Sequence, residues 1–69
     1  MATVHVALIE ESVDVWRPVE AIPEGESIYR LADVPMPDGE VWEFGPGALV
    51  RCEWRDLFDG PALVAISPA

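Results

Sequence analysis

The stretch Ala48-Leu49-Val50-Arg51-Cys52-Glu53-Trp54-Arg55 divides its side chains into two alternating sets, and it is the cleanest alternation in the chain. Successive side chains of a β-strand point to opposite faces, so a period of two predicts a strand with one buried face. The set expected to face the core consists of Ala48, Val50, Cys52 and Trp54. The set expected to face water consists of Leu49, Arg51, Glu53 and Arg55. We therefore interpret the remainder of the chain as a sheet built around this strand.

Proline and glycine interrupt the rest of the chain at short intervals. With seven prolines and five glycines in 69 residues, hardly any gap can hold an ordinary helix with both caps. β-Branched and aromatic residues fill the gaps in short alternating runs, as in a β-meander. The predicted strands are residues 3–10, 13–21 and 27–34, a fourth element that begins at 41 and resumes at 48–55 after Gly45-Pro46-Gly47, and 62–66. Pro18, inside the second strand, predicts an edge, a bulge or a bend.

Five or six short antiparallel strands joined by tight turns favour a small, partly open β-barrel of the SH3-like kind. We expect one domain spanning residues 1–69. A folded chain of 7.6 kDa should expose about 4,300 Å² and bury roughly 60% of its unfolded surface, which is a marginal fraction. Cys52 is the only cysteine, so no internal disulfide can add stability. The chain is therefore expected to pack very economically or to share its core with a partner, including a copy of itself.

The charge balance is strongly acidic. Thirteen acidic residues against four arginines, with no lysine, give a formal net charge of −9. Nucleic-acid binding needs clustered cations, so this balance disfavours it, and anionic membranes are disfavoured for the same reason. The field instead favours a basic protein partner. The longest apolar runs are about five residues, far below the roughly 20 that span a bilayer, and no signal peptide is recognised. A cytoplasmic bacterial protein is expected.

Metal and nucleophile chemistry is disfavoured by the residue counts. Zinc sites need clustered ligands, whereas this chain has one cysteine and one histidine, Cys52 and His5. The acidic turns lack the alternate-residue spacing of a calcium-binding EF-hand loop. A nucleophilic pair of Cys52 and His5 is disfavoured because Cys52 lies on the expected core face, with no cation beside it. We expect no metal, no cofactor and no catalysis, and a small enzyme subunit using Cys52 or a carboxylate is the alternative.

Three tryptophans are many for so short a chain. Trp54 is in phase with the core set, and Trp42 is also expected in the core rather than along a groove. Trp16 is out of phase with Val15, unless Pro18 marks a bulge that changes the register. Trp16 is therefore the best candidate for an exposed aromatic anchor in an interface.

The predicted interaction surface combines aromatic and charged side chains. Arg17 follows Trp16 along the chain, and Glu43 follows Trp42, so each ring has a charge beside it. Two arginines share the solvent face of the strand 48–55, where ion pairs are their simplest explanation. The residues of this surface are Trp16, Arg17, Trp42, Glu43, Arg51 and Arg55.

Several segments resemble those of small uncharacterised bacterial proteins with no established activity. The first is Val13-Asp14-Val15-Trp16-Arg17-Pro18-Val19, a V-x-V-W-R-P-V pattern. Ile28-Tyr29-Arg30 follows, and then a W-E-F-x-P-G-x-x-V-R-C-E pattern from Trp42 to Glu53. This resemblance spans most of the chain and implies a compact β-barrel. It also implies that Arg17 meets an acidic partner such as Glu43 or Glu53 near the barrel mouth, and it supplies no catalytic residue.

The leading functional hypothesis is a non-catalytic protein-interaction module. It would dock a partner, or a copy of itself, through an aromatic face around Trp16 or through an open strand edge. The second hypothesis is an acidic antagonist of a basic protein, of the immunity-protein or antitoxin type, because the net charge is −9. The third is the small enzyme subunit described above.

Overall fold

Five strands make up the regular secondary structure of the described residues. The computed structural model describes residues 2–9, 15–36, 38–57 and 60–69. The strands are β1 (Ala2–Ala7), β2 (Trp16–Gly25), β3 (Ile28–Leu31), β4 (Leu49–Leu57) and β5 (Gly60–Pro68). No residue in the described ranges is helical. This agrees with the frequent prolines and glycines, which leave little room for a helix.

The strands form a ring in sequence order, from β1 to β5. Each consecutive pair is antiparallel, whereas the ring closes through a parallel pair between β1 and β5. A meander with an odd number of strands must close in this way, because its first and last strands run in the same direction. The closing ladder holds a single pair, His5 with Val64, so the ring is closed but uneven. The prediction of a small, partly open all-β barrel is confirmed.

The seam between β1 and β5 is held by more than its one ladder pair. Val64 is completely buried there, with His5 opposite it on β1 and Glu53 opposite it on β4. The half-buried His5 ring places Nδ1 3.3 Å from the carbonyl oxygen of Leu63. That distance allows a hydrogen bond when Nδ1 carries the proton. His5 is partly exposed, and its ring also helps to close the barrel, which the sequence did not indicate.

The second strand extends past its predicted end. β2 continues beyond Ala21 to Gly25, with a register shift against β3 shortly before its end. The turn into β3 follows, and Ser27 in this turn has a φ of 62°, in the left-handed region. The predicted beginning of the second strand falls within residues 10–14, which lie outside the described residues.

The remaining boundaries shift because tertiary pairing shortens some predicted strands and extends others. β3 ends at Leu31, well before the predicted end at 34, since its ladder with β4 covers only Ile28 to Arg30. The element predicted from residue 41 is reduced to one bridge between Leu8 and Trp42. The last strand is longer than predicted because it pairs with β4 along most of its length.

The core takes side chains from every strand. Its buried members are Val4, Val6, Leu8, Val19, Ala21, Leu31, Trp42, Val50, Cys52, Leu63 and Ala65. Val50 and Cys52 occupy the predicted inner face of β4, and Trp42 is only 6% exposed, so these predictions are confirmed. The accessible surface of 4515 Å² is close to the roughly 4,300 Å² expected of a folded monomer of this mass. The chain therefore packs a core of ordinary efficiency by itself.

The prediction that Trp54 lies in the core is wrong, because this side chain is 69% exposed. Trp54 keeps the phase of Cys52 and lies opposite the buried Leu63 in the ladder between β4 and β5. The ladder between β3 and β4, however, reaches only to Arg51, and β1 meets β5 only at Val64. β4 and β5 form a hairpin whose end therefore projects past the ring. No strand of the described residues covers Trp54 there.

Candidate interaction surface

Arg17, Glu40 and Trp42 form a hydrogen-bonded cluster. The Arg17 guanidinium donates from Nε to Glu40 Oε1 over 3.0 Å and from Nη2 to Glu40 Oε2. The Trp42 indole donates from Nε1 to Glu40 Oε1 over 2.9 Å. The Glu40 side chain is only 15% exposed, so both donors hold a largely covered carboxylate. Arg17 therefore meets an acidic partner as expected, but that partner is Glu40, and the two examples named for it, Glu43 and Glu53, are wrong.

The face to which each side chain points explains why Arg17 pairs with Glu40. Arg17 lies opposite the buried Val6 in the ladder between β1 and β2, so its side chain starts from the inner face near one end of the barrel. Glu40 and Trp42 are two positions apart and share one face of an extended segment. Glu43 has the opposite phase and is exposed.

Main-chain hydrogen bonds hold this segment at the end of β1. The amide of Ile9 donates to the carbonyl of Val41 over 2.9 Å. The amide of Glu43 donates to the carbonyl of Ala7 over 2.8 Å. The ion pair between Arg17 and Glu40 therefore fastens β2 to a connecting segment that is itself bonded to β1.

The cluster favours the ionised form of Glu40. The hydrogen bond from Arg17, followed by the hydrogen bond from Trp42, lowers the pKa of Glu40 below its usual value, and partial desolvation opposes this shift. The same contact raises the pKa of Arg17, through its hydrogen bond to Glu40 first and the opposite charge second. The ion pair is therefore complete at neutral pH.

Glu40→Gln is expected to lower the stability of the chain near neutral pH but not in acid, so the unfolding free energy of the variant should depend less on pH than that of the wild type. Because folding lowers the pKa of Glu40, its stabilising contribution is present above the pKa of unfolded glutamate, about 4.3, and is lost as the pH falls through the folded pKa. Urea unfolding followed by circular dichroism should find the variant less stable than the wild type near neutral pH. The difference should shrink as the pH is lowered below about 4.

The matched control for this experiment is Glu43→Gln. Glu43 is exposed, and its side chain makes no hydrogen bond within the described ranges. Its unfolding curves should stay close to those of the wild type at every pH. A stability difference for Glu40→Gln that persisted unchanged in acid would contradict the role assigned to the cluster.

An apolar groove of about 270 Å³ lies beside the cluster. Its walls come from the first half of β2 and from the chain that leaves β3. The lining residues are Arg17, Pro18, Val19, Glu20, Ala32, Val34, Pro35 and Trp42. Since Arg17 is paired with Glu40, the groove offers mainly apolar side chains and the carboxylate of Glu20.

Among the aromatic residues that the structure describes, the exposed one is Trp54 and not Trp16. Trp16 is half-buried at the beginning of β2, next to Arg17 along the chain. Trp42 is buried, with its indole nitrogen bound to Glu40. Among the three tryptophans, only Trp54 presents most of its surface to water.

The remaining predicted residues lie apart from the cluster. Arg51 lines a polar pocket of about 360 Å³ whose other walls are Glu26, Ser27, Cys52, Glu53 and Ile66. Arg55 donates from Nε to Glu53 Oε1 over 2.7 Å, so its ion pair lies within β4 rather than across strands. Exposed pairs of this kind contribute little to stability, about 0–1 kcal/mol.

The structure thus brings together only part of the predicted surface. Arg17 and Trp42 meet through Glu40, and Trp16 is adjacent to Arg17, whereas Glu43 and the two arginines of β4 point elsewhere. Sequence reasoning missed Glu40 and the groove. The signal for Glu40 was its spacing of two from Trp42, which places both side chains on one face of an extended segment.

Burial opposes thiol chemistry at Cys52. The residue is 2% exposed, and desolvation raises the pKa of its thiol to about 11. Within the described ranges, no three His, Cys, Asp or Glu side chains cluster closely enough to hold a metal ion. In the same residues, no helix is long and apolar enough to cross a bilayer.

Comparisons with protein-family models, with curated proteins and with solved structures find no match to this chain. The resemblance described from the sequence segments stays a prediction, and the function is proposed from the surface features of the described residues.

Proposed function

We propose that this chain is a non-catalytic protein-interaction module whose contact surface centres on Trp54. The observation that carries the proposal is the 69% exposure of this side chain on a hairpin end that projects past the barrel. Tryptophan is among the residues most enriched at the energetic centres of interfaces. Burying an exposed ring of this kind on a partner would contribute about 1.5–3 kcal/mol or more.

The neighbours of Trp54 fit a partner with basic side chains. Trp54 shares its face of the hairpin with Asp56, and Pro61 lies opposite Asp56 in the ladder. Both neighbours are exposed. A cation from the partner would meet the face of the Trp54 ring and the Asp56 carboxylate together, and such cation–π contacts contribute about 0.5–2 kcal/mol.

Trp54→Ala is expected to weaken partner binding without weakening the fold. The tagged 69-residue chain is used to capture partners by cross-linking in its source cells, and the captured partner is purified for titration. Loss of a central aromatic anchor should raise the Kd at least about tenfold, whereas the free energy of unfolding should change by less than about 0.5 kcal/mol. Ile22→Ala is the matched control, because Ile22 is also exposed but lies on β2, and it should bind as the wild type does. Equal affinity of wild type and Trp54→Ala would contradict the proposal.

A second candidate function is an acidic antagonist of a basic protein, and the net charge of −9 favours it. The salt dependence of the association rate of the captured partner tests this second function. Long-range steering is screened by ions, so an antagonist should associate more slowly as salt is added. An association rate that is independent of salt would contradict the antagonist and leave the interaction module.

The third hypothesis, a small enzyme subunit that uses Cys52, has less support. The thiol is buried, and its raised pKa disfavours the thiolate that would act as nucleophile. A homo-oligomer and a cytoplasmic bacterial location stay predictions of the sequence.

A further inference from the structure

The first half of β2 has one edge that no strand of the described residues covers. β1 pairs with β2 from Trp16 to Ala21, whereas β3 pairs with β2 only from Ala21 onward. The chain that leaves β3 makes one more bond, in which the amide of Ala32 donates to the carbonyl of Glu20 over 2.8 Å. Residues 16–19 are therefore paired with β1 on one side, and no described residue forms a ladder with them on the other side. Three of them, Arg17, Pro18 and Val19, also line the groove.

The hydrogen-bond phase of β2 shows which backbone groups point to this open edge. The amide of Leu8 donates to the carbonyl of Val15 over 3.0 Å, so alternate residues from Val15 bond to β1. The residues between them, Trp16, Pro18 and Glu20, direct their backbone groups to the opposite side. The bond from Ala32 to Glu20 agrees with this phase.

Pro18 occupies one of the outward positions, where its missing N–H removes no bond of the barrel. Prolines within strands are found at such edges. Among the described residues, the outward groups left to meet an added strand are the N–H and C=O of Trp16, the C=O of Pro18 and the N–H of Glu20. The prediction of an edge, a bulge or a bend at Pro18 thus corresponds to an edge.

The groove beside this edge is of a size that suits side chains rather than a cofactor. Its volume of about 270 Å³ lies below the range of roughly 300–1,000 Å³ for drug-sized ligand pockets. Its lining is mainly apolar, with Val34 and Pro35 across from Pro18 and Val19. A few small aliphatic side chains of an extended peptide would fill this space.

The charges at the rim of the groove determine which charge a bound segment should carry. Arg17 is neutralised by Glu40, whereas Glu20 lines the groove and is exposed. Asp33, between two lining residues, is exposed as well. Neither Glu20 nor Asp33 forms an ion pair within the described residues. The rim is acidic, as is the whole chain, so a complementary occupant carries lysine or arginine.

We propose that the groove along the open edge of β2 binds an extended segment of a partner protein, which adds to β2 as a strand. The aliphatic side chains of this segment would pack against Val34 and Val19, and a lysine or arginine of the segment would lie beside Glu20. Strand addition of this kind takes affinity from main-chain bonds and specificity from alternate side chains. The proposal rests on the proposed function as an interaction module, and it uses a surface separate from Trp54.

The probe is a peptide selected on the full chain. A display library of random linear peptides is selected on the immobilised protein, and an enriched peptide is synthesised for calorimetry. Enriched sequences should alternate aliphatic residues and carry lysine or arginine with few acids. The amides of an extended peptide form two alternating sets, and only one set faces β2. N-methylation of that set should abolish binding, whereas N-methylation of the other set should leave binding unchanged. Selection of acidic peptides, no enrichment, or no such alternation would overturn the proposal.

Val34→Arg fills the groove with a long cation and should raise the Kd of this peptide at least about tenfold. Ile22→Arg is the matched control, since it makes the same change of charge at an exposed apolar residue of β2 outside the groove. It should stay within about twofold of the wild type. If circular dichroism shows Val34→Arg to be unfolded, Glu20→Arg at the exposed rim takes its place and should give the same loss.

The same peptide separates failure of this proposal from failure of the interaction module. Binding that survives Val34→Arg but is lost in Trp54→Ala would place the peptide site on the hairpin, which overturns the groove proposal and leaves the module intact. Binding that is lost in Val34→Arg and retained in Trp54→Ala supports the groove. This result supports the groove even if the partner captured from cells binds Trp54→Ala as tightly as it binds the wild type.

Discussion

Trp42→Ala is expected to lower the free energy of unfolding by about 3–5 kcal/mol, the usual cost of truncating a buried aromatic ring to alanine. Trp42 is 6% exposed, belongs to the core, and donates its indole N–H to Glu40. Its removal leaves a cavity and takes one donor from a largely covered carboxylate. A domain of this size has a total stability of roughly 3–10 kcal/mol, so this loss is about a third of the total or more.

Urea unfolding followed by far-UV circular dichroism measures this effect, and Trp54→Ala is its matched control. Both variants delete the same side chain, but Trp54 is 69% exposed, so its loss should change stability by less than about 0.5 kcal/mol. Trp42→Phe should fall between wild type and Trp42→Ala, because it keeps a buried aromatic ring but loses the N–H donor and part of the buried volume of the indole. Similar destabilisation by the two alanine variants would contradict the burial assigned to these tryptophans.

Alkylation of Cys52 by iodoacetamide is expected to be at least about a hundredfold slower in the folded chain than in the unfolded chain at pH 8. Only the thiolate reacts, and burial raises the pKa of this thiol to about 11. The thiolate fraction at pH 8 is then about one in a thousand, against roughly one in five for an ordinary cysteine. Burial also blocks the reagent, so labelling should depend on transient opening of the barrel.

Mass spectrometry of timed samples gives both rates, with the chain in concentrated guanidinium chloride as the unfolded control. The labelling rate of the folded chain should also rise in destabilised variants such as Trp42→Ala, because their open population is larger. Labelling of the folded wild type at nearly the unfolded rate would contradict the placement of Cys52. It would also restore the hypothesis of a small enzyme subunit with a reactive thiol.

Much of the barrel could be predicted because strand periodicity is a local property of the chain. The alternation around Val50 and Cys52 predicts the inner face of β4, and the prolines and glycines predict short strands in place of helices. The failure at Trp54 has a specific cause. Phase tells which face a side chain takes, whereas the extent of the neighbouring strands decides whether that face is covered at a given position.

The candidate site was less predictable because it depends on residues that are distant in the chain. Arg17 and Glu40 are 23 positions apart, and nothing between them indicates that the segment before Trp42 is bonded to the end of β1. The groove depends on where β3 leaves β2, which follows from pairing and not from the pattern of β2 itself. Pro18 was a partial signal, because a proline inside a strand indicates an edge.

The amino-acid sequence by itself determined the strand periodicity, the breaks between strands, the acidic surface and the lack of a disulfide, since each follows from residue type and local spacing. Only the tertiary structure decided that Trp42 is covered and Trp54 is not, that Arg17 pairs with Glu40, and that no described residue forms a ladder along one edge of the first half of β2. These outcomes depend on where each strand ends against its neighbours. An odd number of strands closes the ring through one short parallel pair, and the ladders of unequal length leave Trp54 exposed and, among the described strands, this edge of β2 uncovered.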